Sequence, residues 1–531
     1  MNPQVGFLLN KALAALRASN LESANLYLKQ ALRFENNNAH VLRLLGVVAA
    51  QSGKNTEALE YVKSSLKYLP KNALALSNLG NIYFALKQYK NALNAFDQSI
   101  KLDPNYYEVW TNKGNVLHEL ELYEDALICH DKSISLQMGY PEAWTNKGNA
   151  LYELGRYKLA VEHHNTALTL KPDYYQAWTN KAIALFELGL YEEAIAHCDK
   201  ALMINPEYSE AEWSKCLPLL LQGDFQRGLP LYESRWRAGK ITAPEDKRSF
   251  DKPTWLGDVS LQDKTILLYG EQGLGDFIQF CRYAKPVSNL GARVILEVPP
   301  ALESLLVSLD GVSQFITKGK PIPAFDYQCP LLSLPLAMQT SIESIPNPGT
   351  YITFDNNSVK AEEWSKRLGT KTKLRIGLVW SGNPRHKNDR NRSLLLSELV
   401  TYLPDGFEYI SLQNEIRAVD QETLESNPQI QSFAADLHDF SDTAALIGQL
   451  DLVISVDTSV AHLSGALGRQ TWMLLPYVPD WRWMLERVDS PWYPSMTLYR
   501  QSVKGNWGDV LKKIHFDLIE MNEKFGKFPL A

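Results

Sequence analysis

Three stretches of the sequence carry residue types whose spacing could do chemistry. After the apolar run ILLY, residues 270–276 read GEQGLGD: three glycines, Gly270, Gly273 and Gly275, and then an acid, Asp276. The order G-x-x-G-x-G reverses the dinucleotide fingerprint, and the lysine of a phosphate-binding loop is missing, so a nucleotide cradle is a poor reading. After LRIGLVWSG come Arg385, His386, Lys387, Arg390 and Arg392 within eight positions, against one acid, Asp389. That is a local anion site, because arginine offers phosphate a two-pronged fork and pre-placed cations stabilise the charge that a departing pyrophosphate gathers. The third stretch, DLVISVDTSVAHLSGALG at 451–468, sets Asp457, Thr458 and Ser459 between an apolar strand and a helix of small residues. Exposed amides and the helix dipole suit a diphosphate there. Gln413, ending FEYISLQ, stands where a nucleoside could be read. Each has a plainer reading: Asp276 and Asp457 as helix N-caps, His462 as a packed ring, the cationic run as a solvated loop.

The elements that must position these residues are strands, since from about Thr265 short apolar runs alternate with amphipathic segments, the pattern of α/β structure with parallel sheets. Strands are expected at TILLYG, ARVILEV, QFITKG and FDYQCPLL, with helices over DFIQFCRYAKPVSNL and ALESLLVSL. A second series follows: LRIGLVWSG, FEYISLQ, IQSFAAD, DLVISVD and TWMLLPY, closed by an amphipathic WGDVLKKIHFDLIEMNEKF. The expectation is two Rossmann-like lobes, 263–357 and 358–531, after a linker at 239–262. Ligands in open α/β sheets sit beyond the carboxyl ends of strands, which is where all three stretches fall. The aromatic runs PDWRWMLER and SPWYPSMTLYRQ anchor the closing helix or wall the cleft.

Residues 1–238 are organised differently. VWTNKGNVLHEL, AWTNKGNALYEL and AWTNKAIALFEL begin 34 residues apart, and small residues recur at Ala12, Gly46, Gly80, Gly114, Gly148 and Ala182. A second small register runs Ala24, Ala58, Ala92, Ala126, Ala160, Ala194, and Pro70, Pro104, Pro172 and Pro206 close most units. Six repeats are in register, and a degenerate seventh runs from about Ser209 to Trp236. This resembles the tetratricopeptide repeat, which implies paired helices stacked into an α solenoid. His130 and His164 share a register with Phe96 and read as core. Asn78, Asn112, Asn146 and Asn180 recur two residues before the small position. An amide there can both donate to and accept from a peptide backbone.

Composition sets the frame: 531 residues, 45% hydrophobic, 21% charged and a formal charge of -6 describe a multi-domain globular chain and argue against a general nucleic-acid binder. Five scattered cysteines form no C-x-x-C pair, so neither a disulfide framework nor a zinc site is suggested. No basic leader and no run of about 18 apolar residues is present, and the expectation is a cytoplasmic protein without a transmembrane segment.

Two further resemblances bear on function. The loop ending in Asp276 and the Asp-Thr segment with His462 resemble the family 9 glycosyltransferases, which include the bacterial heptosyltransferases; they imply a GT-B fold of two Rossmann-like lobes. By that resemblance Asp276 is the catalytic base, and Asp457, Thr458, Ser459 and His462 hold the donor's phosphate and sugar. The chemistry agrees, because a carboxylate within reach of an acceptor hydroxyl can take its proton, and Gly273 and Gly275 would leave room for the acceptor. Arg385, Lys387 and Arg392 would neutralise the leaving phosphate. The asparagine ladder is similar to that of the O-linked N-acetylglucosamine transferases, which implies a polypeptide acceptor in the groove. The reading is a metal-independent inverting glycosyltransferase with a nucleotide-diphosphate sugar as donor and no cofactor. The alternatives are a non-catalytic repeat scaffold or a polysaccharide-building transferase.

Overall fold

In the computed structural model, described for residues 2–239, 241–242, 246–355, 358–386 and 388–526, the chain forms two compact units that divide between Glu207 and Tyr208. The first unit is six helix pairs, from Pro3–Arg17 with Leu21–Phe34 to Tyr175–Glu187 with Tyr191–Ile204. The 34-residue registers have direct structural meaning. Second helices begin at Tyr89, Tyr123, Tyr157 and Tyr191, and four end at Tyr68, Leu102, Leu170 and Ile204, two residues before each proline. Proline cannot donate the next helical hydrogen bond and forces its predecessor out of the helical region.

Within each pair the small residue on the first helix receives a large side chain from the second. A β-carbon at Gly46 would come within 2.4 Å of Val62, at Gly80 within 2.4 Å of Phe96, at Gly114 within 2.5 Å of His130 and at Gly148 within 2.6 Å of His164. The alanines of the second register are buried where the helices cross. From the second repeat to the sixth the first helices also touch one another, so they line the inner face of the array.

His130 and His164 lie at the core register, fully buried. Neither ring nitrogen of either residue has a hydrogen-bond partner. Burial pushes both imidazoles down to about 3, so they stay neutral in the folded protein. A histidine depressed from 6.5 on folding stabilises the fold above pH 6.5 and withdraws that stability as pH falls toward 3. Replacing both by phenylalanine, the residue at position 96, should leave the fold intact and raise the melting temperature more at pH 4.5 than at pH 7.5. Equal shifts at the two pH values would contradict neutral burial.

The second unit begins with a helix pair, Ser209–Leu221 and Phe225–Tyr232, continued by a short turn, Glu233–Trp236. Two all-parallel sheets follow. The first comprises β1 (Thr265–Tyr269), β2 (Arg293–Val298), β3 (Gln314–Thr317) and β4 (Tyr327–Pro330) in the order β3-β2-β1-β4. The second comprises β5 (Leu374–Val379), β6 (Phe407–Ser411), β7 (Ile430–Ser432), β8 (Leu452–Val456), β9 (Thr471–Leu475) and β10 (Met496–Arg500) in the order β10-β9-β8-β5-β6-β7. Every strand expected from the apolar runs is present. β10 is an addition: its residues lie in the stretch read as an aromatic cluster, and they pair with β9 from Met496↔Thr471 to Arg500↔Leu475.

Two expected helices are shorter than their patterns. The segment after the glycine loop is helical only over Leu274–Phe280, passes through a 3-10 turn at Cys281–Tyr283 and resumes over Ala284–Ser288, where Pro286 removes a backbone donor. ALESLLVSL forms a 3-10 turn at Pro300–Leu302 and a single helical turn at Glu303–Leu306. Among the described residues no helix is long and apolar enough to cross a membrane.

Candidate active site at the carboxyl ends of the sheets

In both sheets the strand order reverses beside the first strand, between β1 and β4 and between β5 and β8. Doubly wound sheets open a crevice at such points. The loops after β1, β5 and β8 carry the three chemical stretches, so topology alone brings them to the carboxyl edges.

After β1, Gly273 takes the N-cap position of the Leu274–Phe280 helix and Asp276 sits at its third residue. The Asp276 carboxylate accepts a hydrogen bond from the Gly273 N–H at 3.0 Å and pairs with the Arg482 guanidinium at 2.5 Å. Asp276 is therefore not the N-cap, although it still serves the helix start. Arg482 is almost fully buried and also holds Asp480 at 2.8 Å. The glycines act through close approach and not through unusual backbone: none of the three has a positive φ. A β-carbon at Gly270 would come within 2.6 Å of the Phe277 ring, and one at Gly275 within 2.9 Å of the His462 ring and 3.4 Å of the Ser459 Cα. At Gly273 the nearest atom would be the Asp276 carboxylate, at 3.2 Å. The space expected for an acceptor at Gly275 is thus taken by the protein itself. The loop of one sheet is pressed on the helix that follows β8 in the other.

That helix, Ser459–Ala466, has Thr458 and not Asp457 as its N-cap. The Thr458 hydroxyl lies 3.2 Å from the Ser455 hydroxyl and does not cap the helix amides. His462 is buried, stacks on Trp483 with centroids 5.3 Å apart, meets the Tyr493 hydroxyl through Nδ1 at 2.9 Å and faces Asp457 through Nε2 at 3.6 Å. Burial by itself would raise the Asp457 carboxyl, but His462, then a hydrogen bond from Trp483 and then the charge of Arg392 outweigh it and hold the group at about 2. Asp457 is accordingly an ionised partner for the ring and the guanidinium.

The cationic loop after β5 divides into parts. Arg392 reaches across and donates from Nη1 to the Asp457 carbonyl at 2.9 Å. Arg385, His386 and Arg390 are exposed, and Lys387 lies outside the described residues. Asp389, in sequence the lone acid of the run, is buried and accepts from Arg417 and, at 2.9 Å, from the Ser393 hydroxyl, which fixes the base of the loop. Gln413 is also committed: its Oε1 accepts from the Ser381 N–H at 3.1 Å and its Nε2 donates to the Ser381 hydroxyl at 3.2 Å. It ties the ends of β5 and β6 together.

Sequence reasoning passed over a buried ionic cluster behind the glycine loop. Arg235, from the turn after the helix pair, donates to Glu271 at 3.0 Å, to Glu233 at 2.6 Å and to Ser333 at 2.7 Å. Arg235 and Glu271 side chains are both 0% exposed. An acid between two glycines of a buried loop is the signal that could have found it. Arg482 was likewise hidden in an aromatic run. Aromatic rings complete the backing: Trp481 lies 5.8 Å from Phe225, 6.0 Å from Tyr232 and 6.3 Å from Phe280.

In the repeats, the four candidate groove asparagines are partly buried on first helices. Asn146 donates to Asn115 at 2.8 Å and Asn180 to Asn149 at 2.9 Å, which brings in a second asparagine register one turn on. The Asn78 amide nitrogen is buried with no partner, and Asn112 occupies the same position in the fourth repeat.

Models of the tetratricopeptide repeat match residues 73–106, 141–174 and 175–208, with related models at 95–128 and 9–73. The N-terminal unit is a tetratricopeptide-repeat array. Such arrays use extended concave surfaces for binding and serve as protein-interaction scaffolds. The chain is similar to Protein FlbA of Caulobacter vibrioides, 25% identical over 329 residues that cover 56% of this chain and 52% of FlbA. It thus spans about half the length of that relative. Among solved structures it is similar to a tetratricopeptide repeat protein from Parabacteroides merdae, with 22% identity, 43% of this chain and 91% of that chain covered and a TM-score of 0.37. A thermophilic TPR protein in Thermus thermophilus gives 19% identity, 34% and 98% coverage and a TM-score of 0.32.

The Glu271 carboxyl is pushed up to about 7, chiefly by burial, which outweighs the neighbouring Arg235; Asp276 and Glu233 push the same way as burial. An acid raised from 4.5 on folding contributes stability that is complete below pH 4.5 and is lost as pH rises through 7. Glu271→Gln removes that titration. Its melting temperature relative to wild type should therefore improve steadily from pH 5 to pH 7.5, and a constant difference across that range would contradict the assignment.

Proposed function

We propose that the second unit is a glycosyltransferase of the GT-B, family 9 type, moving a sugar from a nucleotide-diphosphate donor to an acceptor. The observation that carries the reading is the meeting, at Gly275, of the Asp276 loop with the Asp457–His462 segment, beside the arginines that follow β5. In the step proposed, the acceptor oxygen attacks the anomeric carbon as Asp276 takes the hydroxyl proton. The bond from sugar to phosphate breaks, and its electron pair stays on the phosphate oxygen. Arg385, Lys387 and Arg392 are the cations suited to that developing charge, with Thr458, Ser459 and the helix amides at the diphosphate. The step as written needs no metal. Arg482 orients the Asp276 carboxylate. The repeat array would present a polypeptide acceptor to this site from a cytoplasmic pool.

One observation favours a second reading, a non-catalytic scaffold: the Asp276 carboxylate already has two partners, the Gly273 amide and Arg482. Nucleotide release from a panel of nucleoside diphosphate sugars, with mass spectrometry of co-purified proteins as acceptors, separates the two. Asp276→Asn keeps the size of the side chain and removes the base, so turnover should fall by about two to four orders of magnitude while nucleotide binding changes little. Binding without turnover by the wild type would favour the scaffold, and absence of both would remove the enzyme reading. Products made of glycan alone would point to a polysaccharide-building transferase.

A further inference from the structure

The array contains an ion pair that recurs at the fourth and fifth repeats and is missing at the sixth. A lysine on the first helix of a repeat meets an aspartate on the second helix of the repeat before it: Lys113 with Asp97 at 2.7 Å, and Lys147 with Asp131 at 2.6 Å. Thirty-four residues on, the lysine returns as Lys181, but the aspartate register holds Asn165. An amide cannot neutralise an ammonium.

The surroundings otherwise repeat. In the fifth repeat Trp144 stacks on His163 with centroids 5.5 Å apart, and in the sixth Trp178 lies 5.2 Å from His197. Beside Lys181 an aspartate is lost and a cation is gained, because Asn165 stands in the aspartate register of the repeat before and Lys200 stands in the register that Thr166 occupies there; Asp199 restores the aspartate register within the sixth repeat itself. Lys200 Nζ is 4.6 Å and Lys181 Nζ 5.6 Å from the centre of the Trp178 ring. The indole face holds the two ammonium groups near one another. Among the described residues neither lysine forms an ion pair. Glu193, one turn before His197, acts on Lys181 from beyond ion-pair reach and is exposed. Burial, followed by the charge of Lys200, pushes the Lys181 ammonium down, and burial with both lysines pushes His197 down to about 4. Two lysines facing a neutral ring therefore carry the charge of the patch.

We propose that Trp178, Lys181 and Lys200 form a carboxylate-binding site in the sixth repeat, filled by an aspartate or glutamate side chain of an acidic segment in a partner polypeptide. The ligand is a carboxylate because a carboxylate lies on the equivalent lysine in both preceding repeats. It comes from a polypeptide because the site belongs to a protein-binding array. The inference does not depend on sugar transfer.

Asn165→Asp tests it with little risk to the fold, since aspartate already occupies this register at positions 97 and 131. The full chain is titrated calorimetrically with blocked octaglutamate, blocked octaglutamine and a single-stranded DNA octamer, at low salt and at about 0.15 M, where exposed charges are screened beyond roughly 8 Å. Octaglutamate should bind the wild type, octaglutamine should not, and Asn165→Asp should weaken octaglutamate by roughly fivefold to tenfold by supplying the missing carboxylate from within. A Lys181→Met, Lys200→Met double variant should weaken it similarly, with its melting temperature unchanged. Equal octaglutamate affinity in wild type and Asn165→Asp, or no binding by the wild type, would overturn the proposal. DNA binding tighter than octaglutamate and lost in Asn165→Asp would reassign the site to phosphate.

Discussion

The contact between Gly275 and the helix Ser459–Ala466, where a β-carbon would come within 2.9 Å of the His462 ring, holds the loop after β1 against the loop after β8. Much of the geometry of the α/β unit at its carboxyl edges depends on this approach. It brings Asp276 near the ring that faces Asp457, and Arg392 then ties the loop after β5 to the Asp457 carbonyl. Three loops from two sheets become one constellation because one residue has no side chain. A methyl group there would push the helix away and separate the acid from the cations.

Much of the charge around this contact is held by mutual pairing. Asp276 is set by Arg482, Glu271 by Arg235, and Asp389 by Arg417. Arg282 shows a different solution. Among the described residues it has no carboxylate in contact, and it is held by the carbonyls of Gln279 and Trp492 and by the rings of Tyr351 and Tyr493. The helix pair from Ser209 to Tyr232 takes part through Arg235 and through Phe225 and Tyr232, which pack on Trp481. It backs the glycine loop, which gives the degenerate repeat a task unlike that of the six regular ones.

Repetition and burial made much of the architecture legible. The 34-residue period and the small-residue registers named the helix pairs, and apolar runs located nine of the ten strands among the described residues. The tenth, Met496–Arg500, was obscured by the tryptophans and tyrosines around it. Local pattern was a poorer guide to partners. Nothing near Asp276 in sequence announces Arg482, 206 residues away, or links Arg235 to Glu271, and such pairs are settled by tertiary packing alone. Glycine spacing suggested open room at Gly275, whereas a glycine can as readily mark where another part of the chain lies closest. Gln413 lies two residues beyond the end of β6, and its amide is spent on Ser381.

The proposed transfer requires that the loops after β5 and β8 together receive a nucleoside diphosphate. Hydrogen exchange of the full chain, followed by mass spectrometry with and without nucleoside diphosphates of each common base, tests it most directly. At least one of them should slow exchange in peptides covering 381–393 and 457–466, with the tetratricopeptide repeats unchanged. Saturating nucleotide that leaves both segments exchanging at the free rate, or that protects other segments instead, would contradict it.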